Sequence, residues 1–160
     1  RPELRGRLHV WQIGFVSPDA HSGLVEAPDG VTVHHVPPVN QRRAISYMLG
    51  ADLLWVEEYG TVMPSKTLQY LRAGRPILAL VEGGGVIRDV LRGTPQAHLV
   101  GRDEAARAGR LVAGLGLEPR RQPGGRPIAA VAAYSRREIA RRFAAVLDAA
   151  CVSRVTGRPV

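Results

Sequence analysis

Met63-Pro64-Ser65-Lys66-Thr67-Leu68-Gln69-Tyr70-Leu71-Arg72-Ala73-Gly74-Arg75-Pro76-Ile77-Leu78-Ala79-Leu80 reads as a loop, a short helix, a stop and a buried strand in one unbroken unit. Pro64 has a preset φ and no N–H, which suits the first helical position, where the N–H has no intrahelical acceptor. Leu68 and Leu71 share a face, Gly74 supplies the left-handed residue that ends helices, and Pro76 forbids continuation. Ile77 to Val81 is a continuous apolar run, the pattern of a strand covered on both faces in a parallel sheet. Lys66 and Gln69 share a polar face distinct from the leucines. Lys66 is also the only lysine among 22 basic residues.

The same grammar extends outward. Leu8 to Gly14, Val31 to Val36, Asp52 to Val56 and Ala97 to Val100 read as strands. Asn40 caps a helix to Leu49 with Ile45, Met48 and Leu49 inward, and Gly50 closes it. Gly83-Gly84-Gly85 leads into a helix through Leu91 with Val86, Ile87, Val90 and Leu91 inward. Asp103 caps a helix ending near Gly114 to Gly116. Ser135-Arg136-Arg137-Glu138 is a capping box opening a long helix, with Ile139, Phe143, Val146 and Leu147 as its stripe. Strand and helix alternate, which predicts an α/β fold: a Rossmann-like parallel sheet with helices on both faces. Residues 1–150 form one domain, 118–127 a linker within it, and 151–160 a disordered tail.

At 160 residues there is room for one domain with a real core. No apolar run approaches the ~20 residues that span a bilayer, and the N-terminus has no signal-peptide core, so the expected location is cytoplasmic. Lone Cys151 makes no intramolecular disulfide. The net charge of +8 raises anionic partners, but the Arg, Ala, Gly and Pro bias fits a G+C-rich genome, and 5% aromatic residues leave little for base stacking. Nucleic acid is therefore not the expected partner.

Several sets of residues invite chemistry. Gly83-Gly84-Gly85 departs from the dinucleotide fingerprint, since Arg88 stands where a third glycine is needed, and reads as a tight turn. Glu57-Glu58 and His34-His35 each split across the two sides of an extended segment. No His or Cys lies at metal-ligand spacing, so no metal is expected. The loop Tyr59-Gly60-Thr61-Val62 joins the carboxyl end of a strand to the Lys66 helix. Open α/β sheets bind ligands there, and free N–H groups attract phosphate. An ordinary exposed loop with a helix cap is the competing reading.

Ala51-Asp52-Leu53-Leu54-Trp55-Val56, followed by Pro64-Ser65-Lys66-Thr67-Leu68-Gln69-Tyr70-Leu71-Arg72-Ala73-Gly74-Arg75-Pro76-Ile77-Leu78, resembles the P-x-K-x-x-E-Y-L-A-A-G-x-P-I-L pattern of family 4 glycosyltransferases of the GT-B fold, in their C-terminal donor-binding domain. The resemblance spans roughly residues 2–149. It implies a nucleotide-sugar substrate, transfer with retention, no metal and no other cofactor. It places Val36, Pro37 and Val39 near the nucleobase, with Tyr59, Gly60, Thr61, Ser65 and Lys66 in the donor site towards the diphosphate. Gln69 stands where the family has a ribose-binding Glu, and Arg72 replaces a small residue. It further implies that the chain is a fragment, inactive alone, lacking the domain's first strand–helix unit. Its partner would be the N-terminal acceptor-binding domain of the same protein, with peripheral contact to an anionic inner membrane face. No catalytic residue is assigned. The alternative is a non-catalytic Rossmann-like partner-binding or regulatory domain, which a neutral Gln69 allows.

Overall fold

The computed structural model describes residues 4–15, 27, 29–57, 62–83, 85–117 and 129–156. Among these the strands are β1 (Leu8–Ile13), β2 (Val31–Val36), β3 (Leu54–Glu57), β4 (Ile77–Leu80) and β5 (Ala97–Val100). The helices are α1 (Gln41–Gly50), α2 (Lys66–Ala73), α3 (Val86–Leu91), α4 (Ala105–Leu117), a 3-10 helix (Ala129–Tyr134) and α5 (Arg136–Thr156). The fold is α/β and its paired strands are all parallel.

The expected single sheet is instead two. β1 pairs with β2, and β3, β4 and β5 form a separate three-stranded sheet in that order. Gly14 donates its N–H to Val36 O, so alternate residues of β1 are bonded to β2 and the others face away. Leu54 donates to Pro76 O, so Leu54 and Val56 face β4, while Trp55 faces away from it.

β4 is buried as its apolar run requires. One side of the three-stranded sheet carries Leu54, Val56, Ile77 and Ala79, which pack with Leu71 of α2 and with Ile87 and Leu91 of α3. The other side carries Trp55, Leu78 and His98. α4 lies against it at His98, where His98, Leu111 and Leu115 line an open cavity of about 360 Å³. On this side Trp55 remains 49% exposed. No residue of β1 or β2 is fully buried.

α1 is the strap between the sheets. Asn40 Oδ1 accepts the Arg43 N–H at 3.0 Å, the expected N-cap. Tyr47 approaches the Trp11 ring on β1 at 5.7 Å, and Met48 packs on the main core. At the far end Arg75 Nη2 donates to Leu49 O. The inward side is therefore Ala44, Tyr47 and Met48; Ile45 and Leu49, expected inside, are exposed because the helix leans on β1 and the core together. Gly50, expected to close a helix ending at Leu49, is instead its last helical residue, and extended Ala51 ends the helix.

Other ends differ by a residue or two. α2 opens at Lys66 behind a helical Ser65, with Thr67 N–H bonded to Pro64 O at 2.9 Å. α4 opens at Ala105, not at an Asp103 cap: the Glu104 carboxylate accepts the Gly101 N–H at 2.8 Å and holds the turn. That bond, with Arg107 beside it, lowers the Glu104 pKa. In α3, Val86 is exposed while Ile87 and Leu91 are buried. α5 runs to Thr156, past the point where a tail was expected at residue 151. Its stripe of Ile139, Phe143, Val146 and Leu147 is at least half exposed. Glu138 N–H donates to Ser135 Oγ at 3.2 Å, so the first half of the capping box forms.

Two outcomes check these assignments. Gly74 sits at φ 65° and ψ 24° and is buried. A side chain there costs about 1–2 kcal/mol in the left-handed region, so Gly74→Ala should lower unfolding free energy by about that amount in denaturant titration. At α5, hydrogen bonds from Arg141 and Arg142 lower the Glu138 pKa from 4.5 to about 2. A depressed carboxylate stabilises above its unfolded value and loses that contribution as pH falls through the folded one. Far-ultraviolet circular dichroism should show helicity falling between pH 4.5 and about 2, and Glu138→Gln should flatten that step.

Candidate functional site

The direction of α1 fixes which edge of the molecule each loop reaches. Its C-terminus is held by Arg75, just before β4 begins, so that end lies at the amino edge of the main sheet. Its N-terminus, with the Val36–Val39 turn leading into it, therefore lies at the carboxyl edge. Lys66 lies there too, because α2 follows the carboxyl end of β3 and runs back to the start of β4. The two groups of candidate donor-binding residues share one edge.

Val36 and Val39 are half-buried and Pro37 is exposed. Ser65, Lys66 and Gln69 are exposed on the first turns of α2. No hydrogen bond or ion pair among the described residues joins the turn to Ser65, Lys66 or Gln69. Tyr59, Gly60 and Thr61, and Glu58 beside them, lie outside the described residues.

The N-terminus of α2 is electrostatically unfinished. Ser65 makes no side-chain cap, and the first turn contains no acidic residue. The residue at its head is instead a cation, the opposite of what the helix dipole favours, a cost of about 0.3–1 kcal/mol. One residue on, Thr67 is fully buried and its Oγ1 has no hydrogen-bond partner. Tyr70, another turn along, packs on the core, and burial raises its phenol pKa. An uncapped helix head carrying a positive charge is an arrangement that an anion would complete.

Two clusters were missed by sequence reasoning. Arg102, just past β5, bonds Glu57 at the end of β3 at 3.2 Å and also Glu82 just past β4. Three strand ends thus meet in one ion-pair network on the carboxyl edge. Only the three-strand register brings these residues together, so no local spacing signals it. On β1 and β2, His34 stacks on Trp11 at 4.0 Å and lies 3.0 Å from His9, ring nitrogen to ring nitrogen. The alternation had separated His34 from His35 without revealing His9 as the neighbour. Of the expected Gly83-Gly84-Gly85 turn, Gly83 sits at φ 65° and extended Gly85 precedes α3, while Gly84 lies outside the described residues.

Among the described residues, no group of three His, Cys, Asp or Glu side chains could hold a metal ion, and no helix is long and apolar enough to cross a membrane. No protein-family model, curated protein or solved structure matches the chain.

The orphaned hydroxyl gives a stability test. An unsatisfied buried polar group costs about 1–3 kcal/mol, and replacement by an apolar group of the same shape removes that cost. Thr67→Val should raise unfolding free energy of the unliganded chain by on the order of 1 kcal/mol, read from its denaturant midpoint. A loss of stability would show the hydroxyl to be bonded.

Proposed function

We propose that this chain is the nucleotide-sugar-binding half of a glycosyltransferase, a Rossmann-like domain of the GT-B type, acting with an acceptor-binding domain of the same protein. The observation that carries the reading is Lys66, the only lysine, at the head of an uncapped helix on the carboxyl edge. This edge is where open α/β sheets take ligands. The motif resemblance supplies the substrate class.

The chemistry follows from charge. When a glycosyl group departs, the nucleoside diphosphate gathers negative charge, and prearranged N–H groups with a compact ammonium stabilise it without reorganisation. Ser65 and Lys66 would meet the diphosphate, Gln69 the ribose hydroxyls, and the Val36, Pro37 and Val39 turn the base. Gln69 has a neutral amide oxygen to offer a hydroxyl, which weakens that contact relative to a carboxylate. The exposed apolar stripe of α5 supports the need for a partner domain. Retention, independence from metal, a cytoplasmic location and contact with an anionic membrane face belong to the same proposal.

Calorimetric titration with nucleosides and nucleoside diphosphates tests it. A charge-assisted hydrogen bond is worth roughly 1.5–3 kcal/mol, so Lys66→Ala should weaken diphosphate binding about tenfold or more and leave nucleoside binding unchanged. Gln69→Glu should tighten ribonucleosides and not their deoxy analogues. Absence of nucleotide binding at millimolar concentration in the full-length protein, unaltered by either substitution, would favour a non-catalytic partner-binding domain.

A further inference from the structure

The side of α4 that meets β5 is not the apolar stripe a helix ordinarily turns towards a sheet. Arg107, Arg110, Leu111, Gly114 and Leu115 recur every three or four residues, so they share one side of the helix, and with His98 of β5 they line the open cavity of about 360 Å³. Two of these helix positions are arginines and one is a glycine. The helix therefore does not close on the strand here.

Gly114 keeps part of this space empty. It lies in the last turn of α4, where glycine is a poorer helix former than alanine. Its φ is not positive, and a Cβ added to it would meet no atom within 4 Å. Neither backbone conformation nor a close neighbour calls for a glycine at this point. Its effect is to leave room beside Leu111 and Leu115.

The charge around the cavity has one sign. No acidic residue lines it. Arg107 Nη1 is bonded to Glu104 Oε1 at 2.9 Å, whereas Arg110 makes no hydrogen bond or ion pair with a described residue. The two arginines lie towards the N-terminal half of α4, while Gly114 and Leu115 lie at its C-terminal end, where the helix dipole disfavours an anion. An anionic group is thus favoured at one end of the cavity and an apolar body at the other.

We propose that the cavity between α4 and β5 binds a carboxylate that carries an apolar chain. The carboxylate pairs with the Arg110 guanidinium, whose planar fork can meet both oxygens, and the chain lies against Leu111, Leu115 and the room left by Gly114. Small-molecule sites are largely apolar concavities of about 300–1,000 Å³ with a few polar groups that fix orientation, and this cavity falls in that range. The inference stands independently of the glycosyltransferase reading, which uses neither α4 nor β5.

Titration of the whole chain with octanoate, followed by amide NMR and calorimetry, tests the site. Octanoate should shift the His98, Leu111, Gly114 and Leu115 amides and saturate by millimolar concentration, while acetate, which has the charge without the chain, should not saturate. Arg110→Gln should weaken octanoate about tenfold or more and leave 1-octanol, which has the chain without the charge, unchanged. Gly114→Leu should fill the room and abolish binding of both, with helicity and thermal midpoint retained because leucine is the better helix former. Should that variant fail to fold, Gly114→Ala should weaken octanoate with the fold kept. No saturable shift at millimolar octanoate, shifts centred on the exposed stripe of α5 instead of the cavity, full affinity in Arg110→Gln, or undiminished binding in the folded Gly114 variant would each overturn the proposal.

Discussion

The hydrogen bond from Arg75 to the Leu49 carbonyl sets the frame on which the remaining geometry depends. Arg75 is 8% exposed, so its guanidinium is held inside the structure at the C-terminus of α1, where the helix dipole favours a cation. It pins that end of α1 to the turn before β4. Once the end is pinned, the direction of α1 is decided, the exit of β2 must lie on the carboxyl edge, and β1 is drawn beneath the helix by Tyr47. A strap held at one point in this way can join two sheets that share no ladder. A short contact within either sheet could not do this.

What was legible in the sequence was local. The stop at Gly74 and Pro76, the cap at Asn40 and the buried run of β4 each depend on a few neighbouring residues and form as read, while only the Ser135 half of the capping box forms. Lys66 could be singled out by being unique and by standing at a helix start. What was not legible depends on pairing between distant segments. The division into two sheets is a matter of which distant strands pair, and an alternating pattern is identical whether its far edge is paired or open. The inward side of α1 was misread because Ile45 and Leu49 are apolar, whereas the helix is oriented by Tyr47 and Met48, which meet the two sheets. The Arg102, Glu57 and Glu82 network needs the ends of three strands, residues up to 45 positions apart in the chain.

The charge also reads differently once placed. Arg141 and Arg142 both pair with Glu138, Arg107 with Glu104, Arg92 with Asp89 and Arg5 with Asp29. These are exposed pairs, each worth about 0–1 kcal/mol, and four of the five lie three or four residues apart in the chain. They neutralise these arginines locally and leave the net +8 unchanged. Lys66 belongs to a different class, since no ion pair joins it to a described residue and it stands against the dipole of its own helix. Lys66 is thus set apart from the locally paired arginines by its place at the head of α2.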